Sequence, residues 1–175
     1  MGRGGSPEAM STIPVQDPRL APLVEKVLRG GRFDGADALV IYQSTDLLGI
    51  GELANHVREQ RHGSRAWCKL DLNPPVAFTA GNSERIAALL ALEAVEVYEV
   101  PLRSRLTGHT YLKDVAVARL LLPHAVHIQI RMCPAVENVC QLALRFGADT
   151  LVGPDLAELE RQARACGREV VGIPL

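Results

Sequence analysis

The sequence predicts an α/β protein, a helical N-terminal layer followed by mostly parallel strands that alternate with helices. Three observations carry this. From Ser83 to the end, apolar residues recur with helical and then strand periods, in the order αβαβαβαβ. Between Tyr111 and Gly153 a helix, a strand, a helix and a strand follow so closely that a parallel crossover unit is implied. Before Trp67 the pattern is helical throughout and is punctuated by Gly30-Gly31 and Gly63.

Residues 1–16, MGRGGSPEAMSTIPVQ, lack the apolar core of a signal peptide and read as a disordered leader. Asp17-Pro18 starts a helix to about Arg29, with Leu20, Leu23, Val24 and Val27 inward. Asp34 caps a shorter helix through Tyr42, and Ser44-Thr45-Asp46 opens a third to about Arg61, which Gly63 ends. Residues 17–66 therefore form a helical cap, and 67–175 form the α/β part.

Trp67 to Leu72 alternates weakly and is a candidate strand, stopped by Asn73-Pro74-Pro75. Ser83 caps a helix from Glu84 to about Leu92. Val95 to Val100 is a strand closed by Pro101, and Arg103 to His109 is a polar loop. Thr110 caps a helix from Tyr111 to Leu122, with Leu112, Val115, Ala116 and Leu122 on one face. After a strand from Val126 to Met132, Pro134 opens a helix striped by Val136, Val139, Cys140 and Ala143, with Gly147 at its C-cap. Asp149 to Gly153 is a short strand. A helix opened by Pro154 buries Leu156, Leu159, Ala163 and Cys166, and Glu169 to Ile173 is the last strand.

A parallel strand covered on both faces is apolar nearly throughout. The strand from Val126 to Met132 is not: Val126, Ile128, Ile130 and Met132 point one way, and His127, Gln129 and Arg131 the other. Such a polar face either lines an interior that holds a ligand or marks an edge strand with one solvated side. His127, Gln129 and Arg131 are accordingly candidate ligand-binding residues. Asp149, at a strand start, is a fourth, weighed against simple turn chemistry. No residue is a confident catalyst. His124, His127 and Cys133 do not make a structural zinc signature, and no metal site is expected. His62 reads as a helix C-terminal histidine, Arg119 as half of a buried ion pair, and Tyr98 as a packed aromatic.

A chain of 175 residues with 47% hydrophobic content can bury a sizeable core. Its net charge of -1 provides no electrostatic footprint for nucleic acid or an anionic membrane. Cys68, Cys133, Cys140 and Cys166 are scattered, with no C-x-x-C pair, which suggests reduced thiols in a cytoplasmic protein.

Two groups of motifs occur in one order. The first is Asp46-Leu47-Leu48, Ile50-Gly51, Leu53-Ala54, Arg58 and His62-Gly63. The second is Pro101-Leu102, Leu112-Lys113, Ala116-Val117-Ala118-Arg119-Leu120, His127-Ile128-Gln129 and Phe146-Gly147-Ala148-Asp149 with Gly153. Together they resemble the radical S-adenosylmethionine enzymes of menaquinone (futalosine pathway) and deazaflavin biosynthesis: aminofutalosine synthase, dehypoxanthine futalosine cyclase and the deazaflavin-precursor synthase. The likeness covers roughly two thirds of the chain and implies a barrel whose interior is faced by the His127 strand.

That family holds a [4Fe-4S] cluster and S-adenosylmethionine through a C-x-x-x-C-x-x-C loop, and cluster ligation needs thiolates at fixed spacing. Here the corresponding stretch, Trp67 to Pro75, contains Cys68 alone, and Thr150 replaces a second Asp of the family's G-A-D-D motif. A closed barrel takes at least about 200 residues. The expectation is an incomplete, half TIM-like barrel of four or five mostly parallel strands, with no cofactor of its own. Functionally the resemblance implies a cluster-free relative with a binding or accessory role. An enzyme of the same pathway using a partner's cluster or non-radical chemistry, and a truncated non-functional copy, are the alternatives. Expected partners are a second copy or a full-length homologue, with a small nucleoside as the ligand class, since open sheet edges ask for cover.

Overall fold

The computed structural model describes residues 13–75, 77–78, 81–103, 107–123 and 126–172. It is an α/β fold. The N-terminal layer is a 3-10 turn, Pro18–Leu20, followed by α1 (Ala21–Leu28), α2 (Gly35–Gln43) and α3 (Leu47–His62). The starts of the 3-10 turn, α2 and α3 are each fixed by a side chain. Asp17 accepts from the Arg19 N–H, Asp34 and Asp37 form a reciprocal capping box, and Asp46 accepts from the Gly49 N–H. Gly63 takes φ +57 and ends α3.

Most of the expected leader lies outside the described residues, but its last part is packed. Ile13 is buried, Val15 lies against the core, and the N–H groups of Gln16 and Asp17 donate to the Asp46 carboxylate at 2.5 and 3.1 Å. Asp46 therefore caps α3 and anchors the preceding strand of chain together, which a composition-based reading of a leader cannot register.

The α/β part contains β1 (Arg65–Leu70), β2 (Ala77–Phe78), α4 (Asn82–Leu90), β3 (Val97–Glu99), β4 (Leu102–Arg103), α5 (Gly108–Leu121), β5 (His127–Arg131), α6 (Glu137–Ala143), β6 (Thr150–Gly153), α7 (Leu156–Ala165) and β7 (Glu169–Val171). Five strands form one parallel sheet in the order β3-β5-β6-β1-β7. The expected polar loop after Arg103 holds a surprise at its start: Leu102 and Arg103 pair in parallel with Ala77 and Phe78. Thr107 rather than Thr110 caps α5, and α6 begins at Glu137, after a turn, rather than at Pro134.

Register fixes the two faces. Glu99 lies opposite Gln129, Gln129 opposite Thr150, and Thr150 opposite Trp67. Residues paired across a parallel ladder project to the same side. The alternate positions, Ala66, Cys68, Ile128, Ile130 and Leu151, are buried on the helix side, against α5, α6 and α7. α5 is buried nearly all round because α2 and α3 pack on its other side. This explains why its sequence reads as apolar on more than one stripe. The N-terminal helices thus thicken the covered side of the sheet instead of folding over the other side. That other face opens onto a cleft of about 620 Å³.

Candidate functional site

The cleft is lined by Trp67 and Lys69 of β1, Glu96, Val97 and Glu99 at β3, His127 and Gln129 of β5, and Thr150 of β6. Strand alternation delivers these side chains to one surface, with His127 and Gln129 among them. The four candidate residues do not share one role there.

His127 borders the cleft with its side chain about one third exposed. Gln129 is buried in the cleft wall, its Nε2 donating to Glu99 Oε2 at 2.6 Å. Arg131 is fully engaged: its guanidinium donates to both Glu99 oxygens at 2.9 and 2.8 Å, to Asp71 Oδ2 at 3.1 Å and to the Asn73 carbonyl at 3.0 Å. The hydrogen bonds to Glu99, against the opposing effect of burial, raise the arginine's pKa and keep its charge fixed. Arg131 therefore straps the C-terminal ends of β1, β3 and β5 together.

Asp149 is fully buried just before β6. Its carboxylate accepts from Arg119, from the Thr150 hydroxyl at 2.7 Å, from the Ile128 N–H at 3.2 Å and from His127 Nδ1 at 2.9 Å. Burial alone would push this acid up. The His127 hydrogen bond, the Arg119 charge and the Thr150 hydroxyl outweigh it and hold the carboxyl below its ordinary value. Because an ionised Asp149 only accepts, His127 donates to it through Nδ1. Arg119 also donates to the carbonyls of Gly147 and Val126 at 2.8 and 3.0 Å, so the expected buried ion pair is present. Gly147, at φ +103, lets the chain pass Arg119 at a distance no side chain would allow.

His62 corrects its sequence reading. A histidine serving a helix dipole would be a solvated cation. Here it is 8% exposed, stacked on His127 at 5.1 Å and edge-on to Trp67 at 5.2 Å. Burial lowers its pKa to about 4; Asp149 opposes this, whereas Arg119, His127 and Arg58 reinforce it. His62 Nε2 lies 3.4 Å from Asp149 Oδ2, yet alignment fails and the atom has no hydrogen bond. His62, Trp67 and Glu99 were the residues sequence reasoning missed. Only the alternation of Trp67 with Lys69 signalled any of them. Tyr98 is half-buried against the core, as expected of a packed aromatic. His124 lies outside the described residues.

The thiols do not fit an iron–sulfur cluster. Cys68 faces the helices, and burial pushes it up to about 11. Cys140 is pushed up to about 12 for the same reason. Cys166 donates to the Gln141 carbonyl. Cluster ligands must be thiolates converging on one point. Among the described residues the convergent set of metal-ligating groups is instead His62, His127 and Asp149.

These features define an α/β half-barrel with one helix-covered face and one face accessible to a ligand. No protein-family model matches the chain. Over 53 residues, 30% of the chain, it is 47% identical to aminodeoxyfutalosine synthase of Thermus thermophilus, a match that spans 14% of that protein. The chain is therefore locally related to the futalosine-pathway enzymes whose motifs it resembles. Among the described residues no helix is long and apolar enough to cross a membrane.

Proposed function

We propose that this protein is a shortened, cluster-free relative of the futalosine-pathway enzymes that binds a small polar aromatic ligand, of the nucleoside class, without radical chemistry. The observation that carries this reading is the 620 Å³ cleft on the polar sheet face, where an aromatic wall of Trp67 and His127 meets the hydrogen-bonding groups of Glu99, Gln129 and Thr150. Pockets with an apolar wall and a few fixed polar groups are the usual form of a small-molecule site. The scattered thiols, three of the four buried, support the absence of a cluster of its own. The outer edges of β3 and β7, which pair with no further strand among the described residues, are the surface on which two copies would associate, in keeping with how sheets protect their edges.

Trp67 is the chain's single tryptophan and stands in the cleft wall, so its fluorescence reports occupancy directly. Titration with aminodeoxyfutalosine-type nucleosides, with adenosine as the comparison, is expected to quench it saturably, and Gln129→Ala is expected to weaken the response. Unchanged emission across all of these nucleosides refutes the ligand class. Anaerobic reconstitution with iron and sulfide is expected to leave the protein colourless; stoichiometric iron and labile sulfide on its own side chains refutes the cluster-free reading.

A second reading, acid–base chemistry in the same pathway, is favoured by one observation. The 2.9 Å contact between Asp149 Oδ1 and His127 Nδ1 orients an imidazole in the manner of a general base. It predicts turnover of a bound nucleoside that His127→Gln lowers by a far larger factor than it weakens binding.

A further inference from the structure

We propose that His62, His127 and Asp149 form a site for a borderline divalent cation of the zinc type, with one coordination position facing the cleft. The three residues come from three separate segments: the end of α3, the start of β5 and the lead into β6. One ligand atom from each lies within 4.8 Å of the others. Two imidazoles and a carboxylate are the donor set that suits zinc and its neighbours, and three protein ligands leave a fourth position for water or a bound molecule.

His62 supplies a second and independent observation. Its Nε2 is buried, lies 3.4 Å from Asp149 Oδ2, and has no hydrogen bond. Buried polar atoms without a partner are rare because each is costly, and an unbound ion is one of their recognised explanations. Ligands held on bonds of about 2.0–2.2 Å in a tetrahedral site stand roughly 3.3–3.5 Å apart, so the His62–Asp149 edge already has the required length.

Two features oppose the ion, and each has a structural answer. Arg119 and the Ile128 N–H both donate to Asp149 Oδ2. Arg119 then acts as an outer partner that fixes the carboxylate, and its charge lowers the affinity below that of a site with an unpaired acid. The two imidazoles also stack with only 25° between their planes, so their in-plane lone pairs do not yet converge. His127, one third exposed on the cleft side, is the ring with room to turn. The Thr150 hydroxyl remains on Asp149 Oδ1 when His127 leaves it.

The test is titration of the chelator-treated full chain with Co²⁺, followed by Zn²⁺. One equivalent of Co²⁺ is expected to give the visible bands of a four-coordinate nitrogen–oxygen site, without the near-ultraviolet bands of thiolate ligation. Zn²⁺ is expected to displace the Co²⁺ and raise the melting temperature. His62→Gln and His127→Gln should each weaken Co²⁺ binding at least about tenfold, whereas Cys133→Ser should leave it unchanged. Should His62→Gln fail to fold, the part-exposed His127 variant decides alone. Absent bands, thiolate bands, or binding that survives His127→Gln overturns the proposal.

Discussion

Replacing Asp149 by Asn tests the buried network beneath the cleft. The substitution preserves shape but removes the carboxylate charge paired with Arg119, which is 1% exposed and holds its other donors on the Gly147 and Val126 carbonyls. An amide also turns one donor toward groups that already donate. With its oxygen toward Arg119 and the Ile128 N–H, its nitrogen must meet His127 Nδ1 and the Thr150 hydroxyl, and both must reverse roles. Breaking a buried pair by removing one partner costs about 3–5 kcal/mol, chiefly because the remaining charge is left uncompensated. A domain of this size loses about 2–4 °C per kcal/mol, so the melting temperature should fall by roughly 6–20 °C. Urea unfolding followed by circular dichroism measures it, with an unchanged m-value showing that only stability moved. Arg119→Met should cost a similar amount, and the double variant less than the two together. A loss under about 1 kcal/mol for Asp149→Asn, or strict additivity in the double variant, would refute the claim that these groups act as one unit.

The remaining predictions are simpler to state. His62 is held neutral in the fold, at a pKa of about 4, against about 6.5 unfolded, so only the unfolded chain takes a proton as pH falls between those values. Stability in chelator should therefore drop by about 3 kcal/mol from pH 7 to pH 4, and His62→Gln should flatten that part of the profile. Asp149, with its pKa depressed, contributes stability above the unfolded carboxylate pKa that is lost as pH falls through the folded value, a separate and more acidic limb. Gly147→Ala places a Cβ 2.6 Å from that of Arg119 at a positive φ, and thermal melts should show a loss of at least about 1–3 kcal/mol. Light scattering across micromolar concentrations should detect a dimer; a strict monomer counts against association through β3 and β7.

Local signals carried much of the architecture. Capping acids, Gly63 and Gly147 marked where helices start and stop, and the alternation of His127, Gln129 and Arg131 revealed a sheet with one polar face. What stayed hidden depended on partners distant in sequence. Asp149 looks like a turn residue until Arg119 and His127 are brought to it. His62 looks like the solvated end of a helix until β5 slides a second imidazole beneath it. Arg131 and Gln129 alternate identically, yet Glu99 and Asp71 claim the first and only Glu99 the second. The β2–β4 pairing spans two residues in each strand, too short for any periodicity to show.

The position of β1 between β6 and β7 also bears on how the chain acquires its structure. Trp67 meets Thr150 on one side and Val171 on the other, both from segments far downstream in sequence. The helices before it can form locally, but the adjoining strand must wait, with both hydrogen-bonding edges open, until β6 and β7 have been made. Such long closures slow assembly, so refolding should be slow and a nascent β1 should be the segment most in need of chaperone protection.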